Sequence, residues 1–185
     1  ANLPIIFSAP DAFRTSGEST SPGTRILSVS GRVERPGVYE VPLGTSLREL
    51  IGRAGPVVSG EPAVLMGGPS GGFLAATALD VPLSPGLMHP TGAMLGAGGV
   101  TVWEAPGDSR EAALMAAAFN ASESCGKCTP CRAGTPRLLD ALSAGDTAAI
   151  ADLGEVLQFA SLCGLGQMAP GPVRSALHFW PEVFA

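Results

Sequence analysis

The sequence predicts an α+β fold: a β-grasp domain over residues 24–104, then a small four-helix bundle over residues 105–185, preceded by an N-terminal arm and linker over residues 1–23. Three observations carry this prediction. Glycine and proline, 25 and 17 of the 185 residues, are densest before residue 108 and imply short elements joined by tight turns. The apolar pattern changes from alternation to helical spacing near residue 105. All four cysteines lie in the last third, in stretches that separate the expected helices.

The arm holds a short apolar patch, Leu3 to Phe7, expected to pack on something, and a polar linker from Thr15 to Gly23. Arg25–Ser30 and Val38–Val41 alternate around a turn at Arg35-Pro36-Gly37, which reads as a hairpin. A short helix follows. Ser46 and Glu49 are spaced as a capping box, Leu47, Leu50 and Ile51 form its apolar face, and Gly55-Pro56 ends it. Ala63–Met66, Phe73-Leu74 and Val100–Trp103 are further strands. Two strands, a helix and more strands is the order of a β-grasp.

Beyond residue 105, Asp108 with Glu111 reads as a second capping box opening a helix through Ala112 to Asn120. A second helix is expected from Thr135-Pro136 to Gly145. Asp146 caps a third, with Ile150, Leu153, Val156, Leu157 and Ala160 as its apolar face. Pro172 opens a fourth through Val173 and Leu177 toward Phe179-Trp180. Up-down packing would bring the first and third links, which carry the cysteines, to one end of the bundle.

Composition excludes several classes of function. The net charge is −5 and the pI about 4.9, so no basic surface invites nucleic acid. No apolar run reaches the roughly 18 residues of a membrane span, and none near the start resembles a signal segment. The expected location is cytoplasmic. A mean hydropathy of +0.30 with only 15% charged residues hints at surface buried against other subunits.

The thiols are the strongest signal. Cys125, Cys128 and Cys131 form C-x-x-C-x-x-C, and Cys163 stands alone in Ser161-Leu-Cys-Gly-Leu-Gly166. Thiols this close along the chain are badly placed to pair with one another. Thiolates suit iron–sulfur clusters, zinc and copper(I). Zinc sites usually show two separate C-x-x-C pairs or add histidine, whereas a tight run of three plus a remote cysteine fits a [4Fe–4S] cubane. Gly126 and Gly164 would let the chain approach such a cluster, and Pro130 would stiffen the loop. Lys127 and Arg132 would place positive charge beside it and raise its potential. A structural zinc site with four cysteine ligands, in a docking or assembly module, is the alternative.

Glu123-Ser-Cys-Gly-Lys-Cys-Thr-Pro-Cys-Arg-Ala-Gly134 resembles the iron–sulfur signature of the NADH-binding flavoprotein subunit of respiratory complex I. That signature is shared with NAD-reducing hydrogenases and NAD-dependent formate dehydrogenases. Ser161–Val173 is similar to the segment carrying the fourth ligand, and Val29–Val41 to the SLBB β-grasp domain of that family. Asn2–Ile6 is similar to the stretch leading out of its flavin domain. The resemblance implies that Cys125, Cys128, Cys131 and Cys163 are the cluster ligands. It implies an electron-relay role between an FMN domain and further iron–sulfur subunits, such as a [2Fe–2S] thioredoxin-like subunit, in an NADH-linked oxidoreductase. The family's FMN- and NADH-binding domain precedes the region of resemblance. No comparable glycine-rich loop between a strand and a helix occurs here, so FMN, NAD and catalysis are expected only in a partner domain or subunit.

Weaker signals read as structural. Gly67–Gly72 and Gly96–Gly99 are expected to be turns rather than phosphate cradles. His89 and His178 are read as structural or solvated, and the five methionines, Met66, Met88, Met94, Met115 and Met168, as packing residues. Glu123 is either a helix-end residue or a hydrogen-bond partner of the ligand loop. Ligand binding by the β-grasp domain would need a pocket with convergent polar groups.

Overall fold

A computed structural model describes residues 2–87 and 89–184; the packing expected of Met88 and the first position of the arm lie outside the described residues. Two short helices, α1 (Leu3–Ser8) and α2 (Pro10–Arg14), bury no residue, and Phe7 is 84% exposed. The segment expected to be a linker is folded. Gly17–Glu18 (β1) pairs with Ser21–Pro22 (β2), and the Phe13 ring packs against Gly23.

The main sheet begins as expected, with β3 (Thr24–Gly31) antiparallel to β4 (Gly37–Pro42) in a register that sets Leu27 opposite Tyr39. The helix α3 (Leu47–Arg53) buries Leu47, Leu50 and Ile51. Only half of its capping box forms. Ser46 Oγ accepts from Glu49 N–H at 3.1 Å, while the Glu49 carboxylate turns to Arg53 at 2.8 Å. Gly55 ends the helix at φ +91°, a conformation open to glycine. Strands β5 (Glu61–Met66), β6 (Gly72–Ala75) and β7 (Gly99–Ala105) complete a five-stranded sheet in the order β4-β3-β7-β5-β6. The last strand lies parallel to β3 in mid-sheet and antiparallel to β5 on its other side. This is the β-grasp arrangement.

Period-two alternation gives the sheet two apolar faces. Leu27, Val29, Val64, Met66, Leu74, Val100 and Val102 point to one core with α3. Ala63, Leu65 and Phe73 point to a second core shared with the C-terminal helices. Those helices are α4 (Ser109–Ser122), α5 (Thr129–Ala144), α6 (Thr147–Ala160), α7 (Gly164–Met168) and α8 (Pro170–Phe179). α4 packs on α5 and α8, and α6 on α5, α7 and α8. Ala112, Ala113, Ala116 and Ala117 line the buried face of α4, so close backbone approach replaces the bulk that aromatics would supply.

Several expectations need correction. Asp108 does not cap α4. Its carboxylate accepts from Arg32 Nε at 2.6 Å and from Glu104 N–H at 3.2 Å, since an ion pair with the 32–36 turn outcompetes the helix amide. α5 starts six residues early, at Thr129, with Pro136 inside it. The carbonyl that Pro136 leaves without an amide belongs to exposed Arg132 and can bond water. On α6, Val156 and Ala160 are exposed. The buried stripe is Ile150, Gly154 and Leu157, because Arg174 lies over Gly154 and turns the helix face toward α8. The short helix α7, unexpected from the sequence, intervenes before α8 starts at Pro170.

Glycine turns dock the two cores together. Gly67–Gly72 is a turn between β5 and β6, held by Ser70 Oγ donating to Asn120 Oδ1 and by Asn120 Nδ2 donating to Pro69 O at 2.9 Å. α8 presses on the same turn, where a Cβ at Gly171 would lie 2.7 Å from Gly71 O. Phe73 N–H donates to Ser175 Oγ at 2.8 Å, and the Phe73 ring meets Trp180 edge-on at 5.9 Å.

Candidate metal centre

The three clustered thiols sit where α4 hands over to α5. Cys125 is exposed on the connecting loop, Cys128 is the N-cap residue of α5, and Cys131 is buried in its first turn. Cys163 is exposed and is the N-cap residue of α7. Cys125 thus stays in the link where it was expected, while Cys128, Cys131 and Cys163 occupy helix starts, where amide N–H groups point outward and favour negative charge. All four are free.

The fold brings the Cys163 segment against the other thiols. The Cys128 thiol is held below its ordinary pKa, chiefly by the backbone N–H of Leu162, the residue before Cys163, and then by that of Cys131. Partial burial opposes the shift, while its own N–H and the charge of Arg132 add to it. A Cβ at Gly166 would lie 2.6 Å from Ser161 Cβ and 3.0 Å from Cys131 Cβ, so only glycine lets the 161–166 turn close on Cys131. Ser124 Oγ stands 3.2 Å from Cys131 Sγ and accepts from Gly126 N–H at 3.4 Å.

The other predicted residues divide. Gly126 adopts φ +74° and is required by the loop. Gly164 has no positive φ and meets no protein atom within 4 Å of where a Cβ would stand, while Gly166 is the glycine that packs against Cys131. Arg132 braces the loop, donating to Gly126 O at 2.7 Å. Lys127 and Glu123 are exposed. His89 and His178 do not join the thiols in a ligand group; they line a cleft of about 940 Å³ together with Arg174, Gln158, Gln167 and Phe159. Among the described residues, no group of three or more His, Cys, Asp or Glu is gathered to hold a single metal ion. Sequence reading missed Ser124 and Ser161, and also Gly166 and the Leu162 amide, which meet Cys131 and Cys128 from more than 30 positions along the chain.

This donor set fits an iron–sulfur cluster. Four free thiols, amides directed at one thiol sulfur, positive side chains nearby and a glycine-lined turn match what thiolate-held clusters use.

Comparison with known proteins agrees over both halves. Residues 111–185 match the NADH-ubiquinone oxidoreductase-F iron–sulfur binding region, and residues 26–74 match the SLBB domain. The NADP-reducing hydrogenase subunit HndC of Solidesulfovibrio fructosivorans is 38% identical over 96% of this chain and 39% of its own length. The NADH-quinone oxidoreductase F-subunit of Mycobacterium tuberculosis is 38% identical over 100% of this chain and 44% of its own length. A solved NAD+-reducing [NiFe]-hydrogenase superposes with TM-score 0.85 at 32% identity, covering 98% of this chain and 32% of that one. The chain thus spans about two fifths of the length of these curated relatives.

Proposed function

We propose, from the premise that this chain is homologous to the C-terminal part of the NADH-oxidising flavoprotein subunits, that it is a one-electron relay module whose Cys125, Cys128, Cys131 and Cys163 hold a [4Fe–4S] cluster. The observation that carries the reading is the packing of the Cys163 turn onto Cys128 and Cys131, through the Leu162 amide and Gly166. Bound there, the cluster accepts and releases single electrons.

The chain's own residues do the rest. Three thiols on one short segment form a local chelate, and α6 returns the fourth. Packing of α4, α5, α6 and α8 as a four-helix bundle, within a helical domain from about residue 105, fixes both segments at one end. The Leu162 and Cys131 amides and the start of α5 offset the negative charge of thiolate and cluster, and the exposed Lys127 and Arg132 add positive charge outside them. Cys125 and Cys163 are exposed, and Leu162 beside Cys163 is 79% exposed. That side is therefore open to a redox partner, which we read as an FMN- and NADH-binding domain on one side of the relay and further iron–sulfur subunits on the other. The β-grasp domain, residues 24–104, then acts as the packing base for the helices. A reducing, cytoplasmic setting suits thiols this exposed. No helix among the described residues is long and apolar enough to cross a membrane.

An anaerobic redox titration followed by electron paramagnetic resonance tests the reading. A one-electron transition to an S = 1/2 signal is expected; a redox-silent protein would defeat the relay role and favour a structural metal.

A further inference from the structure

Among the described residues, Trp103 Nε1, Ser109 Oγ and Ser161 Oγ are buried without a hydrogen-bond partner. Trp103 lies on β7 and Ser109 opens α4, at the end of that helix away from the thiol loop. Ser161 is different, because it stands inside the cysteine site. It is 5% exposed and precedes Cys163 by two residues. Its backbone is anchored on both sides: its N–H donates to Leu157 O at 3.3 Å and its carbonyl accepts from Gln167 Nε2 at 3.0 Å. The side chain and Cys131 converge over Gly166, as the position of a Cβ at that glycine shows.

A buried hydroxyl without an acceptor destabilises the fold, and native structures rarely keep one. Among the described residues, Ser161 Oγ has no acceptor. The group that comes to this place in the reading above is a sulfur-rich anion. We propose that the Ser161 hydroxyl is a positioning donor that hydrogen-bonds a sulfur on the Cys131 side of the bound cluster and so raises its reduction potential. The inference rests on the cluster reading of the preceding subsection. An O–H directed at sulfur stabilises the extra negative charge of the reduced state more than it stabilises the oxidised one. Ser124, 3.2 Å from Cys131 Sγ, would serve the same cysteine by a second hydroxyl. Cys131, the buried ligand, would then be flanked by two hydroxyl donors, while the amides gather at Cys128.

The test uses the whole chain, reconstituted anaerobically with iron and sulfide, as wild type, Ser161→Ala and Ser161→Thr. Iron and acid-labile sulfide are measured first. The midpoint potential follows from titration, and exchangeable deuterons near the cluster from electron–nuclear double resonance after transfer to D2O. Ser161→Ala is expected to load fully, shift the midpoint downward and lose one exchangeable coupling, while Ser161→Thr keeps both. Should Ser161→Ala fail to hold a cluster, Ser161→Val against Ser161→Thr, equal in shape and different in the hydroxyl, repeats the comparison. A loaded Ala or Val variant with unchanged potential and couplings overturns the proposal and assigns the hydroxyl to a buried water. A wild type devoid of sulfide overturns the relay reading itself, and this inference with it.

Discussion

At the scale of single residues, two glycines of the Cys163 turn differ in what the protein packs against them. A Cβ at Gly166 would collide with Ser161 and crowd Cys131, whereas one at Gly164 would meet open space. Gly166→Ala is therefore expected to cost about 1–3 kcal/mol, as overpacking does. It should also lower iron content after reconstitution, because the turn can no longer close on Cys131. Gly164→Ala should stay within about 0.5 kcal/mol of wild type, as substitutions at open surface positions do. Urea midpoints of the apoproteins and iron content of the reconstituted ones measure both. The four thiols of the proposed site were legible in the sequence by their spacing, three in C-x-x-C-x-x-C and one remote. Ser161 and Gly166 were not, because a serine between a helix and a loop says nothing until the fold sets Cys131, 30 positions away, beside it.

At the scale of elements, local signals located most strands and helices but misjudged ends where a distant partner competes. Asp108 has the sequence mark of an N-cap, yet it pairs with Arg32 across the sheet edge. Asp146, with no such competitor, caps α6 as its sequence suggests, accepting from Ala149 N–H at 2.9 Å. α5 runs back to the thiols because Cys128 is extended and Pro130, expected to stiffen the ligand loop, stands instead in the first helical turn, which its fixed φ suits. The Arg32–Asp108 pair makes a pH prediction. Hydrogen bonding from Arg32 holds the Asp108 carboxyl below its ordinary value, with the Glu104 N–H and the charge of Arg32 contributing less. A carboxyl so depressed adds stability at neutral pH, and that stability is lost as pH falls below about 4. Asp108→Asn should lower the urea midpoint of the apoprotein at pH 7, and the gap to wild type should close on acidification toward pH 3. A gap that stays constant would mean that the carboxylate charge is not what ties the 32–36 turn to α4. Arg48–Asp80 is more exposed and should matter less.

At the scale of the molecule, the sheet is the shared wall of two cores. The sequence marked the change of period near residue 105 and so the two kinds of structure. It did not show that Phe73 and Leu65, on alternate positions of short strands, face the helices rather than a separate β core. Trp180, 6% exposed and edge-on to Phe73, joins the chain's last turns to the sheet. Trp180→Ala should cost about 3–5 kcal/mol, as large-to-small changes in cores do. It should also destabilise sheet and helices together, so that amide exchange accelerates in β5 and β6 as well as in α4 and α8. Faster exchange confined to the helices would show the two cores to be energetically separate. That coupling also explains how an element with no cysteine serves the centre: the sheet holds α4 and α8, and through them the two thiol-bearing segments.

The central claim is that the four thiols hold a cubane, and metal analysis of the anaerobically purified chain tests it most directly. The account predicts about four irons and four acid-labile sulfides per chain, as a cysteine-held [4Fe–4S] centre requires. Stoichiometric zinc without sulfide would contradict it.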